Sequence, residues 1–330
     1  MKSSVLDIHQ RAYYNGQISC TIFKAIKVAA STAPRLRDYI SLLRPKQWIK
    51  NFFVLAPLIF AKELFQVAPL LTALRAFAGF SLTASAIYIL NDIADVEADR
   101  AHPEKKSRAI ASGAVPQSHA YVAALLLLIC VVLIVVGMDI HYAIAVALYL
   151  LINLAYSLKL KEVVLLDVFV VSTGFMLRVL AGAYAIDVQV SSWIVLCTMF
   201  ISLFLGFAKR RGELLINKEL GSVTHRKVLL LYDVSFLDQM LTIAAAGAVI
   251  SYALYTVAPR TIEVYGTDKM IYTTVFVLYG VFRYLYLTHT TSSIENPTNA
   301  VTSDRTILTT GFLWIITCVG LIYFGNVFGR

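Results

Sequence analysis

Apolar residues run along the chain in long blocks separated by short polar stretches, and the blocks have the length a membrane demands. A helix crossing the hydrocarbon needs about 20 predominantly apolar residues and tolerates an occasional Ser, Thr or Gly. Nine such segments are expected, at about 47–62, 70–91, 118–138, 140–158, 163–186, 191–208, 236–258, 270–289 and 306–327. Tyr121 to Val136 has an uncharged core, whereas the first segment lies beside Lys46 and contains Lys50. The pattern predicts an all-α, polytopic membrane protein with nine transmembrane helices.

Composition agrees. Apolar residues make up 58% of the chain and charged residues only 15%, against about 25% charged in a soluble domain. Placing the N-terminus in the cytoplasm puts 22 of the 29 Lys and Arg residues in cytoplasmic segments. Topology therefore accounts for the net charge of +9, and no nucleic-acid partner is expected. Cys20, Cys130, Cys197 and Cys318 are too scattered for a disulfide framework and read as reduced thiols. The first forty residues lack the small-residue cleavage pattern of a removable signal peptide. Residues 1–44 read as a basic segment, either an amphipathic helix at the membrane surface or a solvated tail, ahead of a membrane domain at 45–330.

The chemistry gathers on the cytoplasmic side. The second span runs into Asn91-Asp92-Ile-Ala-Asp95-Val-Glu97-Ala-Asp99-Arg100, and on a continuing helix Asp92, Asp95 and Asp99 share one face. Stacked carboxylates repel one another, and a divalent cation relieves the repulsion. All-oxygen ligands suit Mg²⁺ bridging to a phosphate group. Arg100, Lys105, Lys106 and Arg108 follow directly, as cations that either hold phosphate oxygens or serve topology alone. Tyr156, Lys159 and Lys161 form a third polar stretch, followed by Asp167 and, eleven residues later, Arg178 on the same helical face. That pair reads equally as structural or catalytic. Arg44-Pro45-Lys46-Gln47-Trp48-Ile49-Lys50-Asn51 either reaches the same cavity or anchors the first helix at the interface.

With these residues in hand, the chain resembles the UbiA superfamily of nine-helix intramembrane prenyl-group enzymes over nearly its full length. The N-D-x-x-D-x-x-x-D pattern at Asn91 to Asp99 matches the superfamily's metal motif. LRPKQWIKN, NDIADVEADRAHPEKKSRAIASG, YSLKLKEVVLLDV, FAKRRGEL and SIENPTNAVTSDR look most like its decaprenyl-phosphate phosphoribosyltransferase branch. Two departures stand out. Ala109 replaces a Pro frequent in those enzymes, and the loop after the sixth span carries Lys209-Arg210-Arg211 where prenyl-diphosphate enzymes carry a second Asp-rich motif.

The resemblance implies transfer of 5-phosphoribose from phosphoribosyl diphosphate (PRPP) to a polyprenyl phosphate such as decaprenyl phosphate. The reaction would depend on Mg²⁺, release pyrophosphate and serve cell-envelope polysaccharide synthesis at the inner membrane, with a cytoplasm-facing site. Asp92, Asp95 and Asp99 would hold the metal, with Asp92, Asp95, Lys46 and Tyr156 as the catalytic group. Substrate contacts would come from Asn91, Lys50, Asn51, Arg100, Lys105, Lys106, Arg108, Lys159, Lys161, Arg178, Lys209 and Arg210. An ionised phosphate nucleophile needs no general base, so none of the six His is assigned a catalytic role, and His102 reads as a loop residue. A homo-oligomer is compatible with this reading. The competing readings are a prenyltransferase acting on an aromatic acceptor, which would want a second acidic cluster, and an anion transporter using Arg178 and Arg283.

Overall fold

The computed structural model describes residues 34–102, 105–220, 227–290 and 303–324, and every regular element among them is helical. The α-helices are α1 (Leu36–Leu42), α2 (Ala56–Phe60), α3 (Val67–Ala94), α4 (Val96–Ala101), α5 (Gln117–Val135), α6 (Ile140–Leu158), α7 (Leu166–Ala185), α8 (Ser192–Leu220), α9 (Val234–Val257), α10 (Pro259–Tyr265), α11 (Thr274–Thr290) and α12 (Arg305–Phe324). Among the described residues eight helices are long and apolar enough to cross a membrane, and each coincides with one of the last eight expected spans. The expected first span does not form such a helix. Residues Pro45–Leu55 wind as a 3₁₀ helix and Ala56–Phe60 as a short α-helix. Of the basic N-terminal segment, residues 1–33 lie outside the described residues, as does most of the SIENPTNAVTSDR stretch.

The chain divides into two units by its internal contacts. The smaller comprises residues 1–45 and 88–126, the larger 46–87 and 127–330. In the larger unit α6 packs on α7, α7 on α8, α8 on α9, and α11 on α12. Its core includes Val168, Phe204, Phe207, Leu237, Leu241 and Val281. The outer faces remain apolar: Leu133, Leu151, Ile243, Phe282 and Phe312 are all exposed, as lipid contact requires.

Three buried or span-borne arginines each donate to protein groups, although the buried Nε of Arg283 has no partner among the described residues. Arg178 is 4% exposed. Its Nε donates to Asn51 Oδ1 at 2.8 Å, Nη1 to the Gly174 carbonyl at 2.8 Å and Nη2 to the Tyr149 hydroxyl at 2.7 Å. Its guanidinium also lies against the rings of Phe80, Tyr149 and Phe175. Asn51 in turn donates to Ser81 Oγ at 3.0 Å, and Trp48 Nε1 to Ser85 Oγ at 3.1 Å. These contacts pin one side of the irregular Pro45–Leu55 segment against protein, with Asn51 and Val54 buried, and non-α backbone at membrane depth is tolerated where protein covers it. Arg75 caps α5 by donating to the carbonyls of Ile134 and Val136, both at 2.6 Å. Arg283 donates to Asp304 Oδ2 at 2.8 Å, a bond that holds the Asp304 carboxyl below its ordinary range.

Small residues permit the closest approaches. At Gly182 an added Cβ would collide with the Val54 carbonyl oxygen, a backbone atom that cannot rotate away. Gly182→Ala is therefore expected to destabilise the protein by about 1–3 kcal/mol, the usual range for overpacking. Thermal unfolding in detergent should show the loss. An unchanged midpoint would mean that the Pro45–Leu55 segment shifts freely.

Candidate active site

In the smaller unit the acidic motif stays helical through a local break. α3 ends at Ala94 and α4 begins at Val96, yet the Asp95 N–H donates to the Asn91 carbonyl at 2.9 Å and the Asp99 N–H to the Asp95 carbonyl at 2.8 Å. The helical register therefore survives, and Asp92 and Asp99 come to one face as the spacing predicts. Both are buried, at 6% and 3% exposure, whereas Asp95 is half-buried.

One guanidinium bridges them. Arg108 Nη1 donates to Asp92 Oδ1 at 3.0 Å and to Asp99 Oδ2 at 2.6 Å. Arg44 closes on the same Asp92 oxygen and lies over the Tyr88 ring, 5.1 Å from its centroid. The sequence leaves Arg44 open between reaching the cavity and anchoring the first helix, and its pairing with Asp92 is not foreseen there. Arg44 lies 48 positions before Asp92 and no spacing rule connects them; the one local sign, its φ of 48°, is visible only in the structure. Arg100 instead turns to Glu97 Oε1 at 2.8 Å and the Ala111 carbonyl at 3.3 Å. Lys105 and Lys106 sit on a 3₁₀ turn, with Lys106 exposed.

Among the described residues no group of three His, Cys, Asp or Glu side chains has metal-site geometry. Asp92 and Asp99 nevertheless fit a hard divalent cation in two respects. Their donors are carboxylate oxygens, and oxygens of both already converge on one positively charged atom, Arg108 Nη1, which stands where a cation would. Mg²⁺ commonly takes only one or two protein carboxylates and completes its shell with water and substrate phosphate.

The larger unit carries the remaining candidates. Lys46 is exposed and Lys50 half-buried on the 3₁₀ segment, and Asn51 is enclosed between Arg178 and Ser81. Tyr156 is half-buried, Lys159 exposed and Lys161 half-buried at the end of α6 and the turn after it. Asp167 and Arg178 do share a face of α7, but eleven residues of helix separate them by about 16 Å along its axis, so they do not pair. Asp167, fully buried, accepts from Arg210 Nε at 2.5 Å and from the Tyr232 hydroxyl at 2.7 Å. Arg210 Nη1 also donates to Glu213 Oε2 at 2.8 Å. Burial, and then the hydrogen bond to Asp167, push the Tyr232 phenol above its ordinary value and keep it a donor at neutral pH. Arg210 is thus buried on protein partners, while Lys209, 3.7 Å from Glu213, keeps a solvent-accessible side chain.

Deeper in the larger unit lies an apolar cavity of about 720 Å³, lined by residues that include Phe53, Phe60, Phe204, Tyr284 and Trp314. Its aromatic wall is fixed by hydrogen bonds: Trp314 Nε1 donates to the Tyr252 hydroxyl at 2.8 Å, and Tyr265 donates to the Phe60 carbonyl at 2.9 Å. Such a chamber suits an apolar chain.

Residues 52–295 match the family model of the UbiA prenyltransferase family. The chain belongs to the UbiA prenyltransferase family. Among its relatives, a decaprenyl-phosphate phosphoribosyltransferase of Mycolicibacterium smegmatis is 35% identical over 294 residues, covering 86% of this chain and 92% of the relative. One of the same description from Mycobacterium tuberculosis strain H37Rv is 36% identical over 220 residues, covering 66% of this chain and 72% of the relative. A UbiA homolog from Archaeoglobus fulgidus, solved bound to GPP and Mg²⁺, matches the fold with a TM-score of 0.66 at 18% identity, covering 86% of this chain and 99% of that one. This UbiA-family chain is accordingly a multi-pass membrane transferase, and the resemblance read from its motifs holds at the level of the family and of its named relatives.

Proposed function

We propose that this UbiA-family protein transfers 5-phosphoribose from PRPP to a polyprenyl phosphate, releasing pyrophosphate. The observation that carries this reading is the cationic stretch Lys209-Arg210-Arg211, with Arg210 and Arg211 locked by Asp167 and Asp238 and Lys209 left accessible. With those two arginines balanced by protein carboxylates, the accessible Lys209 is the member of the stretch that suits a phosphate-bearing partner through a charge-assisted hydrogen bond. The names and coverage of the mycobacterial relatives support the same assignment.

Asp92 and Asp99, with Asp95, are the residues assigned to hold Mg²⁺. When bound, the metal screens the charge that develops on the departing diphosphate. Asn91 orients the donor, and Lys105, Lys106 and Arg108 take diphosphate oxygens. The bond from the anomeric carbon to the diphosphate oxygen breaks through an oxocarbenium-like state. A lipid phosphate oxygen then forms the new bond to that carbon, and pyrophosphate leaves with the electron pair. The nucleophile is already ionised, so no protein base is needed. Tyr156, Lys159, Lys161 and Lys209 are assigned to phosphate oxygens, and the apolar cavity to part of the polyprenyl tail. The charge bias of the loops supports a site on the cytoplasmic face of the inner membrane, the side on which water-soluble PRPP is available.

The test is to incubate membranes containing the protein with labelled PRPP, Mg²⁺ and a polyprenyl phosphate. Label should enter the organic phase, and a chelator should stop it. If the preparation instead moves a prenyl group from prenyl diphosphate to an aromatic acceptor and leaves PRPP intact, the phosphoribosyl reading is overturned.

A further inference from the structure

The buried carboxylates of the acidic motif, Asp92 and Asp99, are already electrically balanced. Asp92, Asp99, Arg44 and Arg108 form a quartet of two carboxylates and two guanidiniums, with a formal charge of zero. Both guanidiniums converge on one atom, Asp92 Oδ1. Arg44 holds that position with a left-handed backbone, φ 48°. Such strain in a non-glycine residue persists only where its surroundings over-determine it, and it clusters at functional sites. The Arg44 guanidinium also rests on the Tyr88 ring, which gives it a seat beside the carboxylate.

We propose that Arg44 and Arg108 are counter-ions that close the carboxylate pair until the donor arrives, then transfer to its diphosphate, so that divalent metal and diphosphate enter together. The inference rests on the assignment of Asp92 and Asp99 as metal ligands. A neutral quartet offers little net attraction to a lone divalent cation. To reach Asp92 Oδ1 the cation must displace two guanidiniums, and it then sits beside their unpaired charge. A diphosphate removes both obstacles. It brings several negative charges, and its oxygens match the forked donors of arginine at least as well as a carboxylate does. Metal and diphosphate therefore strengthen one another's binding, and the coupling is reciprocal. Arg44 thereby acquires a role as a ligand of the donor diphosphate.

The experiment uses the full chain in lipid nanodiscs and reads two affinities: Mn²⁺ alone, by electron paramagnetic resonance of the free ion, and labelled pyrophosphate at saturating Mg²⁺. Arg44→Gln should bind Mn²⁺ alone about tenfold more tightly than wild type, because one competing charge is gone, and bind pyrophosphate about tenfold more weakly. A merely structural arginine would not move the two affinities in opposite directions. Arg108→Gln carries the same expectation if Arg44→Gln fails to fold, and Arg44→Lys should keep the weak Mn²⁺ binding of wild type. Asp92→Asn should abolish Mn²⁺ binding. If it does so while Arg44→Gln and Arg108→Gln, both folded, bind Mn²⁺ no more tightly than wild type, the exchange of partners is overturned and the metal assignment stands. If Asp92→Asn leaves Mn²⁺ binding intact, the metal assignment falls and the exchange with it.

Discussion

Asp92→Asn is expected to lower Mg²⁺-dependent transfer at least about a thousandfold, with the protein still folded. Changes one shell away from a metal commonly cost about 10–100-fold, and loss of a charged ligand in a group that stabilises a leaving anion costs more. Asn keeps the shape of Asp and one oxygen acceptor, so Arg44 and Arg108 retain a partner at the position they now share. Glu97→Gln supplies the contrast. Glu97 belongs to the same acidic run, yet its side chain is 81% exposed and pairs with Arg100. Its replacement should leave transfer within about twofold of wild type, as surface changes away from a site usually do. Initial rates at saturating PRPP and lipid, with unfolding midpoints measured alongside, check both variants. Asp92→Asn activity within tenfold of wild type would move the metal site elsewhere.

That contrast was legible from the sequence, because the spacing of Asp92 and Asp99 is a property of one helix. The eight long spans were legible for the same reason: each is a continuous apolar run whose length alone decides it. What sequence did not disclose depends on contacts between distant residues. The segment at 47–62 is apolar enough on average, but Asn51 is drawn to Arg178 and Ser81, and the backbone winds as a 3₁₀ helix. The sixth span was expected at about 191–208, with Lys209, Arg210 and Arg211 in the loop after it. The helix continues through them because Arg210 meets Asp167 and Glu213, and Arg211 meets Asp238. Periodicity placed Asp167 and Arg178 on one face correctly, yet a face is not a distance. Their true partners, Arg210 and Tyr232 for one and Asn51, Gly174 and Tyr149 for the other, come from elsewhere in the chain.

Asp167→Ala is expected to destabilise the protein by about 3–5 kcal/mol, the range for removing one partner of a buried ion pair. The Asp167 side chain is fully buried and that of Arg210 nearly so, and Tyr232 loses its acceptor in the same step. Glu213, bound to Arg210 Nη1, remains but is partly exposed, so it compensates the stranded guanidinium only in part. Asp238→Ala should cost less, because Asp238 is more exposed and Arg211 keeps the Thr288 carbonyl and His289 as partners. Unfolding in detergent should rank the two variants in that order. The double variant Asp167→Ala, Arg210→Met should recover much of the single variant's loss, since an apolar side chain leaves no buried charge behind. Its activity then decides what Arg210 does. If stability returns and transfer remains near the wild-type rate, Arg210 holds α8 on α7 and the accessible Lys209 is the phosphate-binding cation of that stretch. If stability returns but transfer is lost with a raised KM for PRPP or the lipid phosphate, Arg210 itself reaches a substrate phosphate.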